Sequence, residues 1–325
     1  MVVQIQEHSG LLDQAASLSL QGHLRLAARY PWIPARQAED FKVRIEWMIR
    51  EGDVFGFAED GALSAFGGYF PLENFRNAGA GAYTPDWCTG FSDSLGIEKQ
   101  AQLQREIIKT MLERCTDKGI RLHGISVPAS EERFRELLFL SGYGGIVMDA
   151  AKPLSVLRQT VNGRIAQNTQ SREIRVRRAG EADSKLLESL NAALAAHIGA
   201  SPVLMPNPAG MTAAEWKVWL GEKSHAAFLA WDNDRPVGFI KAEGPQFDVS
   251  YTVHAPDTMG INGMFVAQEY RNRGVASALL SALCAEAEEM EHTRVSVDCE
   301  TTNPEAYEFW TRYFDPVSWS LERRF

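Results

Sequence analysis

The sequence has few cysteines and no long apolar run. Its four cysteines, in 325 residues, show no C-x-x-C spacing, so they suggest neither a zinc site nor a disulfide framework. No apolar run reaches the roughly 18 residues that a membrane-spanning helix needs. The amino terminus, MVVQIQEHSGLLDQ, lacks the basic start and apolar stretch of a secretory signal. We therefore expect a cytoplasmic protein that has no metal ion and does not contact a membrane.

Positive charge is also in short supply. The chain has 33 lysines and arginines against 42 aspartates and glutamates, which gives a net charge of −9. Nucleic-acid binding needs clustered basic residues, so this balance argues against it. An acidic chain is compatible with a cationic amine as substrate, although solubility alone also explains the charge. The composition, with 45% hydrophobic and 23% charged residues, is that of a globular protein, and the length allows two domains.

One segment carries most of the functional information. The hydrophobic run 261–266 leads into the turn RNRGVA at 271–276, and apolar residues then recur at helical spacing as far as Ala287. The first N–H groups of a helix have no intrahelical acceptor, so a strand, a basic turn and a helix together build an anion site from backbone. Gly274 lets the main chain approach a ligand closely. This order predicts a pyrophosphate site that needs no metal.

The same segment resembles a family signature. Arg271-x-x-Gly274-x-Ala276 is similar to the Q/R-x-x-G-x-G/A motif of the GNAT acyl-CoA N-acyltransferases. A strand at 295–297 and the segment N-x-x-A-x-x-F-W at 303–310 follow in that family's order. The resemblance implies direct transfer of an acetyl or other short acyl group from acyl-CoA to a primary amine of a small molecule or peptide. The alternative is a non-catalytic protein that binds or senses acyl-CoA on the same fold.

The resemblance also assigns the donor site residue by residue. Backbone N–H groups of the turn would bind the pyrophosphate, and the edge of the preceding strand would pair with the pantetheine arm and polarise the thioester. Gly260 and Gly263 predict a bulge or a close backbone approach in that strand. An asparagine after the next strand would bind the arm, cap a helix, or do both. The predicted donor-binding residues are Met264, Phe265, Val266, Arg271, Arg273, Gly274, Val275, Ala276, Ser277 and Asn303.

The general base has several candidates. Many relatives carry a glutamate on the strand before the turn, where this chain has Asn262 and Gly263. His254 has a pKa range suited to the task, and Asp257 and Glu243 are carboxylates nearby in sequence. A chain of water molecules would need none of the three.

The general acid is equally open. The family often has a tyrosine near the thioester sulfur, and this chain has Trp310 at that position. An indole N–H donates a hydrogen bond but does not usefully give up its proton. Tyr307 and Tyr313 lie one helical turn to either side and could replace the missing tyrosine.

The predicted elements occur in the same order twice along the chain. We therefore predict an α/β protein of two tandem GNAT-like domains, each a mostly antiparallel mixed sheet flanked by helices. The domains would span 1–155 and 173–325, with a linker at 156–172 that could begin as a short helix. The first copy has no R-x-x-G-x-A and carries Asp93 and Glu98 at the corresponding place, where their charge would repel a pyrophosphate. It is expected to be degenerate.

The acceptor side is predicted by its position alone. The segment 199–216 is rich in proline and methionine and lies between the first helix and the hairpin of the second domain. The family varies most at this place, and we expect the segment to form part of the acceptor wall. We expect the protein to act as a monomer or a homodimer.

Overall fold

The chain forms two units, and each unit draws on distant parts of the sequence. The computed structural model describes residues 1–7, 9–167, 174–244 and 251–325. Among these residues, the N-terminal unit consists of 1–148, 251–252 and 316–325. The described residues of the C-terminal unit are 149–167, 174–244 and 253–315.

Strands and amphipathic helices alternate before residue 168. Apolar and small residues recur every three or four positions in the first helix, where Leu12, Ala15, Ser19 and Leu26 are buried. The elements are β1 (Val2–Gln4), α1 (Gly10–Arg29), α2 (Ala38–Glu51), β2 (Asp53–Glu59), β3 (Ala62–Leu72), β4 (Gly81–Thr84), β5 (Thr89–Phe91), α3 (Ile97–Asp117), β6 (Leu122–Pro128), α4 (Glu132–Leu140), β7 (Gly144–Pro153) and α5 (Leu154–Gln167).

The rest of the chain continues the alternation. Its elements are β8 (Arg175–Arg178), α6 (Ser184–Gly199), α7 (Ala213–Leu220), β9 (His225–Asp232), β10 (Arg235–Glu243), β11 (Thr258–Val266), α8 (Val275–Glu289), β12 (Arg294–Glu300), α9 (Pro304–Trp310) and β13 (Asp315–Arg324). In the described parts of the chain, no helix combines the length and the apolar character that crossing a bilayer requires.

Each unit contains a mostly antiparallel sheet. In the N-terminal unit the order is β1-β2-β3-β4-β6-β13, with β5 on β3, and β4 and β6 run parallel. In the C-terminal unit the order is β8-β9-β10-β11-β12, and β11 and β12 run parallel. These mixed sheets, flanked by helices, confirm the predicted fold class. Whether the N-terminal unit is a second copy of the same domain stays a prediction.

Helices cover the sheet of the C-terminal unit on both faces. Leu187 of α6 and Trp216 of α7 pack with Leu229 and Phe239 of the sheet in one buried cluster. α8 contacts β9, β10 and β11 and buries residues such as Leu279. The capping box of α7 fixes its start, because Thr212 and Glu215 each accept a hydrogen bond from the other's backbone N–H.

The two units differ from the predicted domains at their boundaries. The segment 156–172, expected to be a short helix plus a linker, is helical up to residue 167, since Leu154, Leu157 and Val161 are spaced to bury one side of α5, which packs on α8. Residues 168–172 lie outside the described ranges. At the other end of the chain, residues 316–325 belong to the N-terminal unit, where β13 pairs with β6. An alternating pattern identifies a strand but not the sheet that it joins.

A buried histidine ties together the sheet of the N-terminal unit. The Thr84 hydroxyl donates to the carbonyl of Gly68 at 2.7 Å, so His123 Nε2, 3.0 Å from Thr84 Oγ1, donates to that oxygen. His123 Nδ1 then accepts from the Tyr143 hydroxyl at 2.7 Å. Burial lowers the pKa of His123 to about 3, so the folded protein keeps this imidazole neutral.

This arrangement predicts a pH dependence of stability. Between about pH 6.5 and about pH 3 the unfolded chain binds a proton at His123 that the folded chain does not bind. The free energy of unfolding therefore falls as the pH falls, by up to about 1.4 kcal/mol per pH unit from this residue. In urea titrations at several pH values, His123→Gln should show a smaller slope than wild type. Equal slopes would contradict this account.

Candidate functional site

Two neighbouring strands of the C-terminal unit separate halfway along their length. β11 and β12 pair in parallel from Thr258 and Arg294 to Ile261 and Val297. Both strands continue beyond this point, to Val266 and Glu300, and in the described residues no further pair joins them. Alternate N–H and C=O groups of residues 262–266 therefore form an open edge of β11, on the side where β12 no longer pairs with it. Such an edge can hydrogen-bond an extended ligand that carries amides.

A bulge begins where the strands separate. β10 pairs with β11 through Lys241 and Gly263 and then through Ala242 and Ile261, so Asn262 has no partner opposite it. The Asn262 amide instead donates to Glu243 Oε1 at 2.7 Å. The bulge that the glycines predicted is thus present, and it turns the Asn262 side chain towards the end of β10.

The turn after β11 has the backbone that an anion site needs. Asn272 and Gly274 have positive φ, 61° and 83°, and Gly274 caps α8. Left-handed backbone strongly favours glycine, and this explains Gly274. The first hydrogen bond of α8 runs from the Ala278 N–H to the Gly274 carbonyl at 2.9 Å. The N–H groups of residues 275–277 therefore have no acceptor within the helix and point out of its positive end.

The two arginines of the turn have different surroundings. Arg271 Nε donates to the Val266 carbonyl at 3.1 Å, and its Nη1 pairs with Glu305 in the first turn of α9. Arg271 thus holds the turn against the end of β11. Arg273 is exposed, and its guanidinium lies 5.3 Å from the centre of the Tyr270 ring. Of the two arginines, Arg273 is the one on the surface.

The residues that follow β12 approach the same turn. Asn303 caps α9, with its Oδ1 accepting from the Ala306 N–H at 3.2 Å, as one of its predicted roles requires. The Tyr313 hydroxyl lies 2.8 Å from Ser277 Oγ, in the first turn of α8. Tyr313 is buried, and Tyr307 is partly buried on α9. The structure thus brings Tyr313 next to the first turn of α8.

Two of the predicted bases lie at the far end of β11. Asp257 binds the Arg294 guanidinium through both carboxylate oxygens, at 2.7 and 2.9 Å, and accepts from the Thr293 hydroxyl at 2.6 Å. His254 precedes β11 by four residues. The turn begins after the last residue of β11, and eight residue steps of strand span roughly 26 Å. Asp257 therefore serves an ion pair between strands, and His254 lies at the end of β11 opposite the turn.

The third predicted base, Glu243, lies in a cluster of polar side chains beside the bulge. Its Oε2 accepts from the Trp219 indole N–H at 2.8 Å and lies 3.1 Å from His225 Nε2. His225 Nδ1 donates to the Trp219 carbonyl at 2.8 Å, and the two rings stack at 4.5 Å. Together with the Asn262 amide, these contacts hold the Glu243 carboxylate in one orientation. The cluster thus places a carboxylate and an imidazole next to the open edge.

Sequence reasoning missed His225 and Trp219 as members of this cluster. Trp219 lies at the end of α7 and His225 at the start of β9. Only the pairing of β9 with β10 brings His225 opposite Glu243. A histidine at the start of a strand was the one available signal, and it does not identify a partner. Lys241, two residues before Glu243, was missed as well.

The predicted acceptor wall, residues 199–216, lies over the face of the sheet that carries Glu243. Met211 and Trp216, both within 199–216, approach the Lys241 ammonium, with Met211 Sδ at 3.6 Å and the centre of the Trp216 ring at 5.6 Å. The Met211 N–H donates to Asn191 Oδ1 of α6 at 2.7 Å, which fixes the end of the segment. The segment thus returns to the sheet beside Lys241.

Comparisons with known proteins agree with this geometry. The model of the acetyltransferase (GNAT) family matches residues 198–315. The GCN5-related N-acetyltransferase from Sphaerobacter thermophilus superposes with a TM-score of 0.58 at 14% identity, covering 100% of this chain and 95% of that one. A GCN5-related glucosamine N-acetyltransferase region of a fungal multi-domain β-N-acetylglucosaminidase gives 0.54 at 12% identity, covering 99% and 38%. At these identities the likeness shows the fold alone. No curated protein sequence matches the chain.

Proposed function

Because residues 198–315 belong to the acetyltransferase (GNAT) family, we propose that the chain is an N-acyltransferase. It moves an acetyl or other short acyl group from acyl-CoA to a primary amine of a small molecule or peptide, by direct transfer. The observation that carries this proposal is the open edge of β11 next to the free N–H groups of α8. The open edge suits the amides of a pantetheine arm, and the N–H groups of α8 suit a pyrophosphate.

The chain would hold the donor mainly through backbone. The N–H groups of residues 273–277 bind the pyrophosphate, with Arg273 adding charge and Arg271 fixing the turn. The edge formed by Met264, Phe265 and Val266 binds the arm, and one N–H there stabilises the oxyanion that forms on the thioester carbonyl. Asn303, already the cap of α9, has an amide group that also suits the arm.

Glu243 is the base that we propose for the amine. The amine loses a proton to Glu243, directly or through a water molecule, as its nitrogen attacks the thioester carbon. The carbon–nitrogen bond forms, the carbon–sulfur bond breaks, and the CoA thiolate leaves. His225 and Trp219 hold Glu243 in place, and His225 Nε2 is within reach to exchange a proton with it. His254, at the far end of β11, is the weaker candidate.

The proton for the leaving thiolate has two tyrosine candidates. Tyr307 lies on α9, which follows the open end of β12. Tyr313 is hydrogen-bonded to Ser277 at the first turn of α8, and that position suits contact with the pyrophosphate better than contact with the sulfur. We therefore favour Tyr307 as the acid and Tyr313 as part of the donor site.

The alternative, a protein that binds acyl-CoA without catalysis, rests on Trp310 in place of a tyrosine and on one further ground, the missing strand glutamate. Glu243 weakens that ground, because it brings a carboxylate to the bulge from the neighbouring strand. The net charge of −9 suits a cationic acceptor better than a nucleic acid. Action in the cytoplasm, as a monomer or a homodimer, completes the proposal.

We propose that the N-terminal unit is a degenerate copy that does not bind CoA. Asp93, shortly before α3, pairs with Arg25, and Arg25 Nη2 also lies 2.6 Å from Glu131 Oε1. Arg25 is thus already paired with two carboxylates, so its charge is not available to bind a pyrophosphate at this place. The cleft beside them encloses about 20 Å³, which is room for one water molecule.

Gly274→Glu should abolish donor binding. The new carboxylate would meet the pyrophosphate at the turn and weaken acetyl-CoA binding by at least about a hundredfold, measured by titration calorimetry. Gly180→Glu is the matched control, because Gly180 is exposed with open space around it. Wild-type affinity in Gly274→Glu would show that the donor site lies elsewhere.

Glu243→Gln should slow the chemical step. Loss of a general base lowers kcat by about 10²- to 10⁴-fold, while affinity for acetyl-CoA stays the same. Thiol release from acetyl-CoA with a panel of primary amines measures this, and the exposed Glu222→Gln serves as control. An unchanged kcat would remove Glu243 from the mechanism. Binding of acetyl-CoA by wild type, without thiol release from any amine, would favour the sensor.

A further inference from the structure

The Lys241 side chain lies across β11 at the open edge. Lys241 of β10 is the cross-strand partner of Gly263. A Cβ built on Gly263 would lie 3.1 Å from Lys241 Cε and 3.2 Å from Cγ, so the lysine stem runs over the space that the missing side chain leaves. The amine at the end of the stem is therefore held above the part of β11 that no longer pairs with β12.

The surroundings of this amine are apolar. The rings of Trp216 and Trp219 are centred 5.6 and 5.4 Å from Nζ, and Met211 Sδ lies 3.6 Å away. No carboxylate of the described residues lies within the 4.0 Å of an ion pair with Lys241. Most lysines of a soluble protein instead project into water.

Burial makes this amine a better nucleophile than a surface lysine. It lowers the pKa of Lys241, because the charged form loses hydration, while the nearby charges of Glu243 and Asp298 act in the opposite direction. Only the unprotonated amine attacks a carbonyl carbon, so a lower pKa raises the reactive fraction at neutral pH.

We propose that Lys241 is itself an acyl acceptor, so that the protein acylates its own acceptor site. The inference rests on the proposed function, since the acyl-CoA must lie along β11. The neutral Nζ attacks the thioester carbon, the carbon–nitrogen bond forms and the carbon–sulfur bond breaks. The CoA thiolate leaves, and the proton lost from nitrogen passes to Glu243 or to the thiolate. The products are acyl-lysine and CoA.

The product would change the acceptor site permanently. An amide is a poor acyl donor, so acyl-Lys241 is an end product and not an intermediate. The reaction removes a positive charge from between two tryptophans and leaves a neutral group that suits an apolar setting. The amine acceptor would then meet Glu243 and Asp298 without the opposing charge of Lys241.

Other lysines of the same unit provide an internal reference. Lys217 on α7 and Lys223 before β9 are exposed, whereas Lys241 is partly buried. Acyl-CoA that reacts without a binding site modifies exposed lysines first. A faster reaction at Lys241 that excess CoA suppresses therefore comes from a donor held beside this lysine, because a lowered pKa alone would not make the reaction sensitive to CoA.

The test is a time course of the full-length protein with acetyl-CoA, followed by digestion and mass spectrometry of the lysine peptides. We expect acetylation of Lys241 to be at least about tenfold faster than that of Lys217 or Lys223. Excess CoA without an acyl group should suppress acetylation at Lys241 and leave the two reference lysines unaffected. Lys241→Arg should bind acetyl-CoA and show no gain of mass at that peptide.

The outcomes separate this inference from the proposed function. If acetyl-CoA binds in calorimetry while Lys241 reacts no faster than Lys217, self-acylation is wrong and the transferase proposal stands. If acetyl-CoA does not bind, both are wrong. If Lys241 reacts fast but CoA does not compete, the acyl group does not come from the proposed donor site, and the inference is overturned.

Discussion

The separation of β11 from β12 after Ile261 and Val297 is the constraint on which the rest of the site depends. Backbone N–H and C=O groups seldom stay without partners inside a protein, so an edge opened within a sheet calls for something to pair with it. The bulge at Asn262 lies at the point where pairing ends, and α8 begins nine residues after β11 ends. An extended ligand with amides in one part and phosphates in another satisfies both features.

The chemistry of the acceptor side comes from residues that neighbouring elements bring to this edge. β11 offers no acid of its own at the bulge, and β10 supplies Glu243 in its place, held by the Asn262 amide and by two side chains from α7 and β9. Lys241 reaches the edge because Gly263 leaves room for its stem. One bulge and one glycine thus decide which side chains can meet a donor along β11.

The sequence was most informative where structure is local. The turn at 271–276 and the cap formed by Asn303 both follow from residues a few positions apart, and the structure contains both of them. The bulge was likewise predictable from two glycines in a strand pattern. Backbone conformation depends on near neighbours, so these features can be deduced without knowing the tertiary fold.

The sequence was least informative where distant segments meet. His225 and Glu243 are opposite each other only because β9 and β10 pair in one register. The polar segment that contains α5 predicted only a short helix, and three apolar residues are enough to pack the whole of α5 on α8. The sequence pattern of β13 predicts a strand but not the unit that the strand joins. Its pairing with β6 depends on tertiary packing. Such contacts depend on packing and not on composition.

The most direct measurement of the central claim is hydrogen–deuterium exchange of the backbone with and without acetyl-CoA. If the open edge and the helix N terminus hold the donor, amides in 262–266 and 273–277 will exchange more slowly when it is bound, because their N–H groups gain acceptors. Protection of other segments, with exchange in these two unchanged, would contradict the account.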